Sequence, residues 1–383
     1  MKNQLPLDGV NILDLTQVLS GPFATLILSD LGANVIKVEK SQGDDSRLFG
    51  PMKKNKSGYF ISLNRGKKSI KLDLKKNDDK KVFDKLLKNS DVLVENFKIG
   101  VLSKLGFPWK KLKKKNPKLI YAKISGFGET GPLKKLPAYD VIVQAMGGIM
   151  SLTGSSENNF NRVGSSVGDI TAGLYCVIGI LAALNERNKT KVGKKIDISM
   201  LDCQVAILEN AITRFSVSKT IPKPHGTDHP SISPFGAFKA KDAKIVIAAG
   251  NQKIFESLCK GISRMDLIKE KKFLNNDLRN RNLKILRMEI EKTLITKTAN
   301  YWIKKLRIAS VPCCKIDNIK DVIKNSQLKN RNMILSYKDK DFGTINVAGN
   351  PIKIEGIKES KVSSKAPDLD QNRFEILKEF GIL

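Results

Sequence analysis

The chain has few histidines, few aromatic residues and no paired cysteine motif. Of its 383 residues only His225 and His229 are histidines, and aromatic residues make up 6%. Two histidines leave few candidates for a histidine-based triad, and the sequence contains neither a G-x-S-x-G elbow nor a P-loop. The five cysteines show no C-x-x-C or Cys/His metal spacing. We therefore expect no metal site, no ATP-driven chemistry, and reduced thiols in a cytoplasmic protein.

Long apolar runs are also scarce. The first residues, MKNQLPLDGV, have no apolar stretch after the lysine, which argues against a signal peptide. The uncharged stretch AGLYCVIGILAAL covers residues 172–184. It is too short to span a bilayer, which needs about 20 apolar residues. This stretch predicts a buried core helix, and we expect no membrane partner.

Acidic residues are in short supply, since 38 Asp and Glu face 68 Lys and Arg, for a net charge of +30. Such a charge is compatible with nucleic-acid binding. However, the lysines are spread along the whole chain, and no aromatic residues interleave with the one dense run, KKLKKK at 110–115. A basic nucleic-acid-binding protein stays an alternative, to be tested by a gel shift at ~150 mM salt. An anionic small-molecule ligand explains the charge equally well, and we do not expect nucleic acid as a partner.

Strand-like and helix-like segments alternate through the first 125 residues. NILDLT, NVIKVEK, SIKLDL, DVLVENF and KLIYAKIS are typical of short buried strands, with helical segments such as SGPFATLILSDLGA and NDDKKVFDKLLKNS between them. This alternation predicts βαβ units and a parallel sheet, whose ligands bind at the carboxyl ends of the strands. With 383 residues, two domains are expected.

The segment GFGETG fits the pattern G-x-G-x-x-G from Gly126 through Gly128 to Gly131. A dinucleotide-binding fingerprint needs a strand before it and a helix directly after it. Here Pro132 and Pro137 follow instead, and proline disfavours a continuing helix. We therefore expect a tight loop at a strand end rather than an NAD site.

Asp169 is the carboxylate best placed for chemistry. It follows a glycine and precedes a mostly apolar helical pattern in VGSSVGDITAGLYCVIGILAALNER. This context predicts a helix N-cap, where backbone N–H groups would bond the carboxylate and keep it ionised. The simpler interpretation is a capping residue, and the functional one is a carboxylate held in one orientation beside glycines that admit a substrate.

The second half of the chain changes character near residue 222. PKPHGTDHPSISPFG predicts a crossing between domains, and FGAFKAKDAKIVIAAG predicts two strands around a turn. Residues 252–307 are predicted to be helical. The end, DLDQNRFEILKEFGIL, predicts an amphipathic helix that packs back on the first domain.

Seven segments together resemble the class III CoA-transferases, the family of formyl-CoA transferase, carnitine CoA-transferase and the α-methylacyl-CoA racemases. The segments are VNILDLTQVLSGPFATLILSDLGANVIKVEK, NRGKKSIKLDL, DVLVENFKIGVLSKLG, ISGFGETGP, PAYDVIVQAMGGIMSLTG, VGDITAG and KKIDISMLD. The resemblance covers nearly the whole chain and is densest up to about residue 205.

The resemblance implies a catalytic nucleophile, Asp169, which matches the family's aspartate. It implies an active-site tyrosine near the thioester, Tyr139, with Ala138 beside it. The CoA contacts that it implies are Val18, Leu19, Lys40, Leu72, Lys75, Asn96, Phe97 and Lys104.

The fold implied by the resemblance is α/β, with a Rossmann-like parallel sheet in a large domain built from both chain ends. That domain is expected over 1–222 and 330–383, and a smaller α+β domain over 223–329. Two chains are expected to interlock as a homodimer.

The implied activity is transfer of CoA from an acyl-CoA donor to a small carboxylic acid through an aspartyl mixed anhydride and an aspartyl-CoA thioester. A CoA thioester is then a substrate, and no permanently bound cofactor is expected. The resemblance favours a short dicarboxylic or hydroxy acid with succinyl-CoA.

A 2-methylacyl-CoA racemase or epimerase is the alternative, because that branch of the family shares the aspartate. Its second proton-transfer group is a histidine, where this chain has Tyr139, and its supporting glutamate falls nearest Asn251. The glycine run of formyl-CoA transferase is missing as well. Deuterium incorporation at the α-carbon of a 2-methylacyl-CoA would separate racemase from transferase.

Overall fold

A computed structural model describes residues 5–357 and 365–383 of the chain. Its strands are β1 Asn11–Asp14, β2 Asn34–Glu39, β3 Met52–Lys53, β4 Lys56–Ser57, β5 Lys68–Lys71, β6 Val92–Glu95, β7 Ile120–Ser125, β8 Gly154–Ser156, β9 Asn159–Phe160, β10 Lys195–Ser199, β11 Phe235–Lys239, β12 Lys244–Ala248, β13 Cys313–Lys315, β14 Ile334–Asp339 and β15 Gly343–Ala348.

The helices are α1 Ser20–Asp30, α2 Gly58–Asn64, α3 Asn77–Lys88, α4 Val101–Lys104, α5 Trp109–Lys115, α6 Asp140–Met146, α7 Ile149–Leu152, α8 Val167–Thr190, α9 Met200–Ala206, α10 Ala211–Ser218, α11 Gln252–Gly261, α12 Asp266–Lys269, α13 Asn276–Arg281, α14 Leu283–Leu294, α15 Ala299–Ile308, α16 Ile319–Lys324, α17 Ser326–Asn330 and α18 Arg373–Glu379. Two short 3₁₀ helices cover Asp45–Leu48 and Lys271–Phe273.

The chain divides into two compact units. The first comprises Met1–Met150, Arg162–Lys219 and Ser326–Leu383, and the second comprises Ser151–Asn161 and Thr220–Asn325. The domain limits expected from the sequence, 1–222 with 330–383 and 223–329, stay a prediction about how the protein is organised.

The first unit contains a six-stranded parallel sheet in the order β10-β7-β6-β1-β2-β5, which confirms the predicted α/β class. Successive residues of a strand face opposite sides of a sheet. Accordingly, Ile12 of β1 packs in one core with Leu28 of α1 and Ile180 of α8. Leu13, the next residue, packs in a second core on the other face, which also contains Phe83 of α3. Both faces are covered, as a parallel sheet requires.

The predicted C-terminal helix is present as α18, and its Ile376 and Leu377 lie in the same core as Leu13. The predicted buried helix is α8, which continues to Thr190. By length and composition α8 is apolar enough to cross a membrane, but half of its apolar window is buried inside the protein, as in core helices of globular proteins. No other helix within residues 5–357 and 365–383 meets those criteria.

The second unit has a three-stranded antiparallel sheet in the order β11-β12-β13. The predicted strand pair is therefore confirmed, whereas no sequence pattern predicted β13. Phe238 of β11 packs with Phe255 of α11, Ile290 of α14 and Trp302 of α15 in a separate core. The helical prediction for residues 252–307 is confirmed by α11 to α15.

Candidate active site

The sequence-predicted site residues lie in the loops that follow the parallel strands. Val18 and Leu19 connect β1 to α1, Lys40 follows β2, Leu72 and Lys75 follow β5, Asn96 and Phe97 follow β6, Lys104 ends α4, and Ala138 and Tyr139 end the loop after β7. The carboxyl ends of parallel strands meet at one edge of a sheet, which is where open α/β sheets bind ligands. The fold therefore explains why residues so far apart in sequence serve one edge.

Two clefts open at this edge, and Phe97 lines both. The first, here called the apolar cleft, is bordered by Lys40 and Lys75 and has apolar walls that include Leu72 and Val101. Lys40 pairs with Asp45, 2.6 Å away. Lys104 does not line this cleft, although its neighbours Val101 and Leu105 do.

The second cleft, here called the lysine cleft, has a volume of about 200 Å³ and is lined by Asn96, Ala138 and Tyr139 among others. Tyr139 is 77% exposed, so its hydroxyl is open to a ligand. Ala138 packs on Gly126, where a Cβ would lie 2.3 Å from the Ala138 Cβ. Glycine at 126 thus serves this close approach, and residues 126–139 contain no helix, as predicted for GFGETG.

Three lysines surround the lysine cleft: Lys98, Lys134 and Lys135. All three are exposed, and none forms an ion pair with any part of the chain that the structure describes. An anion entering the cleft would meet free ammonium groups, because no carboxylate competes for them there. No sequence pattern marks these lysines, which look like ordinary surface charge in the sequence.

Asp169 lies in the first turn of α8, not at its N-cap. The N-cap residue is Ser166, which makes no side-chain capping hydrogen bond. The prediction that Asp169 caps the helix is therefore wrong. The helix instead receives its cap from outside, because the carboxylate of Asp140 accepts the N–H of Gly168 at 2.8 Å.

The carboxyl group of Asp169 is half-buried and hard to ionise. Burial, and secondarily the negative charge of Asp140, raise its pKa to about 7, while a hydrogen bond from Ser20 acts in the opposite direction. The expectation that N–H groups keep this carboxylate ionised is also wrong, since loss of water outweighs the one opposing contribution, the hydrogen bond from Ser20. Strongly shifted carboxyl groups in clefts are typical of functional sites.

Asp140 was missed by the sequence analysis, although it directly follows the predicted Tyr139. It is buried, begins α6, and accepts a hydrogen bond from Gln144 Nε2 at 2.8 Å. Its cationic partner is Arg162, whose guanidinium lies 3.6 Å from the Asp140 carboxylate. Asp140 therefore both anchors the start of α8 and places a second negative charge near Asp169.

Close packing of α1 against α8 brings Ser20 to Asp169. At Gly173, one turn after Asp169, a Cβ would lie 2.7 Å from the carbonyl oxygen of Ser20. Any side chain at this position would force the two helices apart. Ser20 and Gly173 thus set the distance between the start of α1 and the N-terminal part of α8.

Comparison with known proteins decides the family. The model of "CoA-transferase family III" matches residues 7–373.

This chain belongs to family III of the CoA-transferases.

Its relatives carry related activities. The acetyl-CoA:oxalate CoA-transferase of Acetobacter aceti is 41% identical over 98% of this chain and 96% of its own length. The succinyl-CoA:glutarate CoA-transferase of Homo sapiens is 37% identical over 99% of this chain and 87% of its own length. Among solved structures, a CAIB/BAIF family protein from Brucella suis matches with a TM-score of 0.88 and 34% identity, covering 98% of this chain and 100% of that one.

Tyr59 is a further group near the nucleophile candidate of this CoA-transferase. Its pKa is raised to about 12 by burial and by the charges of Asp169, Asp44 and Asp140. Phe49 packs edge-on against its ring, with centroids 5.7 Å apart. A neutral phenol here can donate a hydrogen bond, and no sequence pattern marked it. No cluster of His, Cys, Asp and Glu within residues 5–357 and 365–383 could hold a metal ion.

Replacing Asp169 by asparagine should stabilise the enzyme at pH 8. The pKa of the carboxyl is about 7 in the folded state against 3.8 for the free group, so the folded state binds more protons between these values. The contribution of Asp169 to stability therefore falls as the pH rises from about 4 to about 7. Urea unfolding of wild type and Asp169→Asn at about pH 4.5 and about pH 8, near the two ends of that window, measures the difference in their free energies of unfolding.

The matched control is Asp78→Asn, because Asp78 also lies in the first turn of a helix but is exposed and pairs with Lys81 at 2.9 Å. This control should leave the stability unchanged or slightly lower it at both pH values. A loss of stability in Asp169→Asn at pH 8 would contradict the raised pKa.

Proposed function

We propose that this CoA-transferase moves CoA from an acyl-CoA donor to a small carboxylic acid acceptor, with Asp169 as the covalent nucleophile. The observation that carries the proposal is the half-buried Asp169 carboxyl in the first turn of α8, near Ser20, Asp140 and Tyr59. A carboxylate that has lost much of its hydration reacts more readily with a thioester than one in water. The proposed setting is a cytoplasm with reduced thiols, and all five cysteines are unpaired.

The proposed reaction proceeds in two halves. The Asp169 carboxylate attacks the carbonyl carbon of the donor thioester, and the CoA thiolate leaves as a mixed anhydride forms. The thiolate then attacks the aspartyl carbonyl, which releases the donor acid and leaves an aspartyl-CoA thioester. The acceptor carboxylate repeats these steps in reverse, so Asp169 is regenerated. One thioester is exchanged for another, and no ATP is consumed.

The acceptor is proposed to be a short dicarboxylic or hydroxy acid and the donor succinyl-CoA. Relatives named for oxalate, glutarate and mesaconate support an acid of this size. Mass spectrometry of a panel that combines acetyl-CoA and succinyl-CoA with these three acids and a hydroxy acid would identify the pair.

Asp169→Asn should abolish turnover with the pair so identified while leaving CoA binding intact, because an amide cannot form the anhydride. Wild-type enzyme incubated with acyl-CoA and hydroxylamine should lose activity as the activated aspartyl group becomes a hydroxamate. Peptide mass spectrometry should place this adduct within VGDITAG. Full activity in Asp169→Asn, or an adduct on another residue, would contradict the mechanism.

The lysine cleft is proposed to hold phosphate groups of CoA. CoA carries a pyrophosphate and a 3′-phosphate, and Lys98, Lys134 and Lys135 lack a carboxylate partner within the described chain. The predicted contacts Asn96, Phe97 and Tyr139 line the same cleft. Lys40 is a weaker candidate because Asp45 already pairs with it.

The double variant Lys134→Ala/Lys135→Ala should raise the KM for acyl-CoA about tenfold, since each exposed charge contact contributes up to about 1 kcal/mol. It should leave the KM for the corresponding acyl-pantetheine unchanged, because that analogue has no phosphate. The control is Lys113→Ala/Lys114→Ala on α5, outside the cleft. Equal losses with both substrates would show that the two lysines do not contact phosphate.

The enzyme is proposed to be an interlocked homodimer. Apolar side chains are exposed on α8 and α10 of the first unit, including Ile178 at 60%, Ile212 at 52% and Phe215 at 47%. Apolar surface of this kind marks a protein interface more often than free surface. Two chains that thread each other would cover it permanently.

Mass photometry should show only dimers at nanomolar concentration, because interlocked chains separate only when they unfold. Ile178→Asp should lower the yield of dimer, whereas Ile308→Asp, at an 87% exposed position of the second unit, should not. A monomer peak that grows on dilution of the wild type would contradict interlocking.

A further inference from the structure

Four charged side chains are buried together beneath the loop that connects β1 to α1. Asp14, Lys37, Asp44 and Lys67 are each at most 3% exposed, and we call them the buried charge cluster. Lys37 Nζ lies 2.8 Å from Asp44 Oδ2, and Lys67 Nζ lies 3.0 Å from Asp14 Oδ2. Each cation therefore has an anion beside it. The proposed mechanism uses none of the four residues.

The polar atoms of the cluster are directed at the backbone of the β1–α1 loop. Lys37 Nζ donates to the carbonyl oxygen of Thr16 at 2.8 Å. Asp14 Oδ1 accepts the Thr16 N–H at 2.8 Å, and Asp44 Oδ1 accepts the Val18 N–H at 3.1 Å. Both ion pairs thus contribute a member to a contact with the same short segment.

The β1–α1 loop has an unfavourable backbone conformation, which the contacts around it must stabilise. Val18 has φ 67°, a left-handed conformation that β-branched residues rarely adopt. Gln17 is fixed by Asn96, the residue after β6, whose side chain bonds both the N–H and the C=O of Gln17, at 2.9 and 2.8 Å. The loop ends at Ser20, which begins α1, lies against α8 at Gly173, and lowers the pKa of Asp169 through a hydrogen bond.

Fold stability alone is a poor explanation for the cluster. Buried ion pairs are often no more stabilising than apolar side chains of the same volume, because both charges lose their hydration. A charge pair does provide directed hydrogen bonds that apolar side chains lack. Here those bonds end on the loop that carries Val18, Leu19 and Ser20.

We propose that Lys37 and Asp44 are positioning residues that fix the β1–α1 loop, so that the Ser20 hydroxyl stays on Asp169 and Val18 and Leu19 keep the shape of the CoA site. This role rests on the proposed function, since it concerns the reactivity of Asp169. Neither residue contacts the reacting atoms.

The decisive variant is Lys37→Met/Asp44→Leu, which removes both charges together and leaves neither one unpaired. It should fold as a dimer and unfold near the wild-type urea concentration, yet lose at least tenfold in kcat at saturating acyl-CoA. Hydrogen–deuterium exchange of the peptide covering residues 15–24 should speed up at least tenfold. The control Ser46→Ala removes another donor to Asp44, which lies 2.8 Å from the Ser46 hydroxyl, and should stay within twofold of wild type.

A second pair of variants serves if the double variant does not fold. Val18→Gly permits φ 67° freely but loosens the loop, whereas Val18→Ala removes the same methyl groups and keeps the loop restricted. The glycine variant should lose at least fivefold more kcat than the alanine variant, with no loss of stability.

Wild-type kcat and unchanged exchange in the folded double variant would overturn the positioning role, as would equal kcat in the two Val18 variants. Inactivity of the wild type towards every acyl-CoA would instead refute the proposed function, and the exchange rates would still test the loop.

Discussion

The carboxyl group of Asp169 is partly desolvated, and the contacts around it determine how far this desolvation shifts its pKa. Three helices begin beside it, α1 at Ser20, α6 at Asp140 and α8 two residues earlier at Val167. Helix N-termini favour negative charge. Burial and the neighbouring carboxylate of Asp140 nevertheless dominate, and the pKa rises to about 7. The Asp169 carboxyl is therefore protonated in part of the molecules and ionised in the rest near neutral pH.

The pKa of Asp169 and the position of its helix depend on residues that take no part in the proposed reaction. Asp140 bonds the amide of Gly168, so the same carboxylate that raises the pKa of Asp169 also fixes the helix that carries it. Within the buried charge cluster, burial alone would raise the pKa of Asp14, yet Lys67 and Lys37 hold it below its usual range. Burial lowers the pKa of Lys67 to about 8 despite Asp14 beside it. Burial therefore decides the direction of the pKa shift at Asp169 and Lys67, whereas neighbouring cations decide it at Asp14.

Periodicity and loop chemistry were enough to predict the parallel sheet and the edge at which the candidate site lies. Strand and helix patterns are local, so β1, α1 and β2 could be read from their own residues, and Pro132 and Pro137 excluded a helix after Gly131. The resemblance added the residues at the strand ends, and the structure places most of them along two adjoining clefts.

What the sequence could not supply depends on packing between distant segments. The capping role assigned to Asp169 was wrong because the cap comes from Asp140, 28 positions before the Gly168 amide that it bonds. Tyr59 and the free lysines of the lysine cleft have no local pattern, and their significance arises only from what lies near them in space. The charged residues of the buried charge cluster would pass for surface residues in the sequence.

The position of α18 has a consequence for how the protein is made. Asn372 donates its backbone N–H to the carbonyl oxygen of Ser69, and Lys68 pairs with Glu379 at 2.6 Å, so α18 completes a core that also contains Leu13 of β1. Chains leave the ribosome N-terminus first, at about 5–20 residues per second. The edge strand β5 therefore remains without its covering helix while the roughly 300 residues between them are synthesised. All six strands of the sheet are synthesised before the second unit is complete, but the core on the α18 side stays open until that helix has been made.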